Sequence, residues 1–278
     1  VLNAADPLVA AMAGSSKAPV IFFAVDANHP TLVSHRNAGG KAVFTRNGSI
    51  VLADSGTETV LVSLADVPLT HQGRIPFQVE NALAAAAAAW ALGMSRDVIR
   101  TVLKSFAAEL EMVPGRFNLL EIGGTTIVVD YGHNVSALVA LIDAIEQFPH
   151  ERRTIVYSAA GDRRDSDMVR QGELLGHAFD RVVLYEDHYL RGRTQGDIMR
   201  LFQQGLSTGR RTREVHEFQG NIRAIEHALA HARPGELLVL QADKIDETME
   251  FLNRHLAAAT SGREIDLSEA LEGASPEV

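Results

Sequence analysis

Short apolar runs recur through the second half of this chain at a spacing that predicts its architecture. Residues 126–129, 154–157, 181–184 and 237–240 are four-residue segments rich in β-branched and aromatic residues. Such segments read as strands buried on both faces. Between and after them lie stretches with helical periodicity, at 136–147, 167–178, 196–205, 220–231 and 245–257. Residues 213–217 read as one further rung. Strands alternating with helices predict a mostly parallel sheet covered on both sides, an α/β fold.

The first half is patterned differently. Residues 1–3 read as a strand and Asp6-Pro7 as the start of a helix over 8–12, stopped at Gly14-Ser15-Ser16. The unbroken apolar run 19–25 (PVIFFAV) predicts a buried strand, and 30–38 a short helix ended by Gly39-Gly40. Asn47-Gly48 sits between two apolar runs across 41–51, a strong hairpin signal, and 61–65 reads as another strand. The alanine-rich stretch 78–92 (QVENALAAAAAAWAL) predicts a helix packed closely on a neighbour. Ser95 caps a second helix over 95–110, apolar at Val98, Ile99, Val102, Leu103 and Phe106. Residues 109–114 read as a linker, so the pattern divides into 1–112, 113–257 and an acidic, mobile tail at 258–278. The chain opens at Val1 on what reads as the end of a strand, as if entering a domain partway.

Composition narrows the function more than the fold. With 278 residues, 46% hydrophobic and 22% charged, the chain is an ordinary globular sequence. A net charge of −9 argues against a general nucleic-acid binder. The absence of cysteine excludes thiol catalysis, zinc–thiolate sites and disulfides, and suits a reducing, cytoplasmic setting. The longest apolar run, 82–92, is too short for a membrane span, and no signal-peptide pattern opens the chain.

Candidate chemistry gathers where predicted strands end. Asp130-Tyr131-Gly132-His133-Asn134 follows the first, Gly161-Asp162-Arg163-Arg164-Asp165 the second, and Glu186-Asp187-His188 with Arg191 and Arg193 the third. Carboxyl ends of parallel strands share one rim, where open α/β sheets bind ligands. Mixed-sign clusters suit an anionic or zwitterionic small molecule, although each alone reads equally as a solvated loop. Asp130 could accept from a ribose hydroxyl or cap the next helix; Arg116 could reach phosphate or be a plain loop residue. Asn81, polar in the first turn of the alanine-rich helix, faces either a ligand or solvent. No G-x-x-x-x-G-K-[ST], G-x-G-x-x-G, H-E-x-x-H or G-x-S-x-G occurs, and His133 has no partner at metal spacing. No catalytic residue and no metal ligand is assigned within the chain.

At these positions the sequence resembles the Mur ligase superfamily of ATP-dependent amide ligases, which includes folylpolyglutamate synthetases. Asn3-Ala4-Ala5-Asp6 resembles a late motif of the family's central domain, with Ala5 where that motif has aspartate. The stretch 77–85 (FQVENALAA) resembles its asparagine-bearing helix, with Gln78 as a departure, and Gly115-Arg116-Phe117 and Asp130-Tyr131-Gly132-His133 resemble its two hinge motifs. Within the superfamily the runs VPGRFN, DYGHN, AGDRRDSD and PGELLVLQADKIDET are similar to the cyanophycin synthetases. The resemblance implies the end of a central ATPase domain followed by a Rossmann-like C-terminal domain. It implies ATP held by Asn81, Arg116, Asp130, Tyr131 and His133, with Mg²⁺ ligands mainly elsewhere. Asp162, Arg163, Arg164 and Asp165 would shape the acceptor side, and Glu186, Asp187 and Arg193 the incoming amino acid, with Glu186 and Asp187 facing a guanidinium. The implied reaction joins arginine to side-chain carboxylates of a poly-aspartate (cyanophycin) acceptor through an acyl phosphate, in a cytoplasmic homo-oligomer. Lacking the P-loop, the chain is expected to be inactive alone. The alternatives are another Mur-type ligase, acting on murein peptide or folate, and a non-catalytic nucleotide- or polymer-binding module.

Overall fold

In the computed structural model, residues 1–110 and 112–261 are described; the tail expected at 258–278 lies, from 262 onward, outside the described residues. The chain divides into two compact units. One comprises residues 1–108 with 143–147, the other 109–142 with 148 onward.

The first unit is built on a five-stranded sheet in sequential order: β1 (Leu2–Asn3), β2 (Ile21–Asp26), β3 (Lys41–Arg46), β4 (Ser49–Asp54) and β5 (Thr57–Ser63). β1, β2 and β3 run parallel and β3, β4 and β5 antiparallel. The pleat sends alternate residues to opposite layers. Ile21, Val43, Ile50, Leu52 and Leu61 pack under α3 (Pro76–Ala91) and α4 (Arg96–Ser105). Phe22, Ala24, Ala42, Phe44, Val51 and Ala53 pack with Leu32 of α2 (Pro30–Asn37), while α1 (Pro7–Ala11) adds Ala10. The hairpin expected at Asn47-Gly48 is present, with φ of 49° and 70°. The strand expected at 61–65 begins earlier, because Ser55-Gly56 (φ 48° and 80°) forms a second two-residue turn, and 64–66 coil into a 3₁₀ turn. The helix expected to reach residue 110 stops at Ser105, with Phe106 extended.

The second unit carries a six-stranded sheet, in the order β10 (Glu214–Gln219), β9 (Arg181–Glu186), β8 (Arg152–Tyr157), β11 (Glu236–Gln241), β7 (Thr125–Asp130) and β6 (Arg116–Ile122). All neighbours are parallel except the β6–β7 hairpin, which turns at Gly123-Gly124. Periodicity missed β6, although a Gly-Gly pair between apolar runs is a hairpin signal. α5 (Val135–Ile145), α6 (Asp165–Ala178) and α7 (Asp197–Leu206) connect β7, β8, β9 and β10, while α8 (Asn221–Ala230) and α9 (Ile245–Ser261) flank β11 in sequence. Successive strand steps run one way across the sheet up to β10 and then return to β11. Right-handed crossovers therefore put α6 and α7 on one face and α8 on the other. The packing agrees: Ile127, Val129, Val156, Val183, Leu238 and Leu240 meet Ala224 and Ile225 of α8 and Leu252 of α9. On the opposite face Tyr157 stands edge-on against Phe202 of α7, with ring centroids 5.7 Å apart.

Candidate functional site

The carboxyl edge of the second sheet brings three loops together, and its geometry begins with an irregularity in β6. Arg116 pairs with Asp130 and Asn118 with Val129, leaving Phe117 as an extra residue, a β-bulge. Phe117 is fully buried with φ at +55°, a conformation an aromatic residue adopts only when its surroundings over-determine it. They do. The Phe117 N–H donates to Asp130 Oδ2 at 3.0 Å, and the N–H groups of Gly115 and Arg116 donate to Asn118 Oδ1 at 2.7 and 3.3 Å. Asp130 Oδ1 takes the Gly132 N–H at 2.7 Å, and Gly115 O takes the Tyr131 N–H at 2.8 Å. Asp130 thus does the local capping work that its position at a strand end allowed, and each carboxylate oxygen keeps a further lone pair. Burial pushes its carboxyl above the usual range, against the two N–H donors and the Arg116 guanidinium. Arg116 is exposed, its guanidinium 5.3 Å from the centre of the Tyr131 ring.

His133 follows in the same loop, edge-on to Tyr131 with centroids 4.7 Å apart. Arg163 Nη2 donates to its Nε2 at 2.6 Å, so Nδ1 carries the proton toward Tyr131 O at 3.3 Å. Gln171 of α6 donates to His133 O at 3.2 Å. The loop after β8 is in turn joined to the loop after β9. Arg193 donates to Gly161 O at 2.6 Å, Arg163 O at 2.7 Å and Asp165 Oδ1 at 2.7 Å. Arg191 stands 3.3 Å from both Asp162 oxygens. Only glycine allows this approach, since a Cβ at Gly161 would lie 2.0 Å from Leu190 O. The mixed-sign clusters therefore pair largely with one another. Asp187 meets Lys244 at 3.2 Å, and Arg164 is engaged side-on by Asp167, at 2.9 and 3.1 Å, within the first turn of α6.

Two expectations are corrected. Glu186 was expected to face an incoming guanidinium, but it is fully buried and caps α7 instead. Its Oε2 accepts from Gly196 N at 2.8 Å and its Oε1 from Ile198 N and Met199 N at 3.1 and 3.3 Å. The helix N-terminus, with its orphan donors and positive dipole end, has claimed the carboxylate. Glu186→Gln should cost about 2 kcal/mol, because an amide NH₂ would confront a backbone N–H, and a urea melt of the variant against the parent reads it. Asn81, in the first unit, lies in the second turn of α3 rather than the first, since the helix starts at Pro76. It is exposed and donates to Gln78 Oε1 at 3.1 Å. Sequence reasoning missed Asn118, Tyr157 and Gln241, whose places depend on strand register that the sequence alone does not display.

Among the described residues no three His, Asp or Glu side chains converge as a metal-binding group, and no helix is long and apolar enough to cross a membrane. Residues 115–243 match the family described as Mur ligase, glutamate ligase domain. The chain is 33% identical over 253 residues to a cyanophycin synthetase of Synechocystis sp., and 32% over 254 residues to that of Crocosphaera subtropica. Each alignment covers 91% of this chain and 29% of the relative, so the chain spans under a third of the length of these relatives. In fold it is similar to E. coli FolC in complex with ADP, with a TM-score of 0.60 at 20% identity, covering 88% of this chain and 56% of that one. Residues 115–243 are thus similar to the Mur ligase, glutamate ligase domain, within a sequence similar along nine-tenths of its length to part of the cyanophycin synthetases.

Proposed function

We propose that the chain is part of an ATP-dependent amide ligase of the cyanophycin synthetase kind, joining arginine to the side-chain carboxylates of a poly-aspartate acceptor. The observation that carries this reading is the cross-strand pairing of Arg116 with Asp130. It stations an exposed guanidinium and a donor-held carboxylate side by side at the rim of the matched domain. When bound, ATP supplies the γ-phosphoryl group that turns a carboxylate into an acyl phosphate. Asp130, held by the Phe117 and Gly132 N–H groups, presents its remaining lone pairs to a hydroxyl. Arg116 offers a planar fork to phosphate, and its position near the Tyr131 ring keeps it at the rim without engaging its donors.

The amino-acid side is read from the ion pairs. The Arg193–Asp165 contact is part of a three-bond clamp, whereas Asp162 and Arg191 form an exposed pair at 3.3 Å. That pair can exchange partners with a zwitterionic amino acid at little cost. Asp187, tied to Lys244, is the remaining carboxylate at hand for a guanidinium. No phosphate cradle of the G-x-x-x-x-G-K-[ST] kind occurs in the 278 residues, and no metal-ligand group is present among those described. In this reading Mg²⁺ coordination and γ-phosphate positioning come from residues outside this set, and the chain alone binds nucleotide without ligating.

The test is a pair of measurements. Nucleotide affinity of the chain should fall about tenfold in Arg116→Ala, a loss of about 1.4 kcal/mol, with the melting temperature unchanged because the side chain is exposed. A preparation that includes a phosphate cradle should release phosphate only when arginine and a poly-aspartate primer are both present. Release driven instead by a murein peptide or a folate would point to the other Mur-type readings, and no nucleotide binding at all would leave a non-catalytic module.

A further inference from the structure

Below the rim, the strand register aligns three polar side chains. Gln241 lies opposite Asp130, and Leu240 lies opposite Val156, so the next step sets Gln241 beside Tyr157. Ile127, Val129, Val156 and Leu240 all face α8 and α9, so Asp130, Tyr157 and Gln241 face the other layer, where Tyr157 meets Phe202. The row crosses three strands, roughly 10 Å. Gln171 of α6 reaches the same end of the sheet, where it bonds the loop that follows Asp130.

Below Asp130, the side chains of Tyr157, Gln171 and Gln241 are sealed from solvent and incompletely paired. Tyr157 is 0% exposed, Gln171 1% and Gln241 2%. Tyr157 Oη, Gln241 Nε2 and Gln171 Oε1 have no hydrogen-bond partner among the described residues. The amide orientations are dictated by their other ends. Gln241 Oε1 accepts the Ser158 N–H at 3.2 Å, and Gln171 Nε2 donates to the His133 carbonyl. The unpartnered atoms are thus two donors, the Tyr157 hydroxyl and the Gln241 NH₂, and one acceptor, Gln171 Oε1, beside the spare lone pairs of Asp130. Burial and the nearby Asp130 charge push the Tyr157 phenol upward, which keeps it a donor. Buried polar groups in native proteins are satisfied, and a group that accepts twice and donates to an acceptor is a water.

We propose that Tyr157 and Gln241 hold an ordered water beneath Asp130, and that the two are positioning residues that set how Asp130 presents its carboxylate at the rim. The functional half of this rests on the reading of Asp130 as the residue that grips nucleotide. The water donates toward Asp130 while Tyr157 and Gln241 donate to the water, so the carboxylate gains a third hydrogen bond from below. The charged and titratable groups around Asp130 are Arg116 from β6, Tyr157 from β8, and His133 with Arg163 above its own loop.

The experiment is a high-resolution crystal structure of the chain together with a ¹³C-carboxyl titration of Asp130, both without nucleotide, in the parent and in Tyr157→Phe. Phenylalanine keeps the ring against Phe202; Gln241→Met is the second variant should the first fail to fold. The parent should show a water within hydrogen-bond distance of Tyr157 Oη and Gln241 Nε2. The variant should lack it, and its Asp130 midpoint should rise by about one pH unit, since a bond to the charged form is lost. Nucleotide affinity should then fall about fivefold with thermal stability retained, an effect a merely structural tyrosine would not produce. No density at that position, or an Asp130 midpoint unmoved in the variant, overturns the proposal. A shifted midpoint in a chain whose parent binds no nucleotide supports the water and overturns the nucleotide reading alone.

Discussion

Alanine at Gly205 is expected to destabilise the second unit by about 3 kcal/mol or more, a large effect for the addition of one methyl group. α6 and α7 approach each other through glycines, Gly172 and Gly176 on one side and Gly205 on the other, with Gly209 of the turn after α7 against Gly176. A Cβ built on Gly205 would lie 2.0 Å from Val169 O, 2.6 Å from Glu173 N and 2.9 Å from Gly172 C. All three are backbone atoms, so no side chain can rotate away, and the helices must part. Parting them loosens Leu175, Phe202 and Leu206, all buried, and close-packed interiors forfeit contact energy over gaps of half an ångström. The loops that carry Asp162, Arg163 and Arg193 lead into the amino ends of these two helices, so the rim should distort with the packing. Amide hydrogen exchange in β8 and β9 reads the loss within this unit, and Gln204→Ala, exposed on the same helix, should change it by less than about 0.5 kcal/mol. Equal protection in Gly205→Ala and the parent would mean that the helices are not locked by this contact.

The glycine pairing shows where sequence reasoning stops. The parallel sheet was legible because each of its central strands is a short, uniformly apolar run set between helical periods, and burial on both faces leaves that imprint. The first hairpin was legible because Asn-Gly has few other uses between such runs. The strand Arg116–Ile122 was not, since it lies at the sheet edge and mixes polar with apolar residues on a half-covered face. Likewise, charge in the loops could be seen but its pairing could not. Asp162, Asp165, Arg191 and Arg193 read as groups held out to a ligand, and the structure uses Arg193 chiefly to fasten one loop to the next. Glu186 is the sharpest case. A carboxylate at the end of a strand has the same sequence appearance whether it greets a substrate or turns back onto a helix N-terminus. Only the 186–197 loop, which folds back to bring the amino end of α7 within reach, separates the two outcomes. Tyr157 and Gln241 carry no motif; their meaning lies in the register that seats them beside Asp130.

The largest loss is expected at the opposite, amino edge of the same sheet, where Arg181→Met should cost about 3–5 kcal/mol. Arg181 and Glu236 are both buried, their side chains 4% and 1% exposed, and Nη2 meets Oε1 at 3.0 Å. Thr154 bonds both partners, receiving the Arg181 Nε–H at 3.0 Å and donating its hydroxyl to Glu236. Glu236 Oε2 also takes the Arg233 N–H at 3.1 Å. Removing the guanidinium leaves the carboxylate in an apolar interior with one hydroxyl and one amide for compensation, and an unpaired buried charge is what makes such variants unstable. Arg181→Met with Glu236→Leu should therefore be more stable than Arg181→Met alone by about 1–2 kcal/mol, although it strands Thr154 and the Arg233 N–H and does not return fully to the parent. Urea melts of the parent, the single and the double variant measure both differences. A double variant less stable than the single would show that Arg181 acts through packing of its stem rather than by neutralising Glu236.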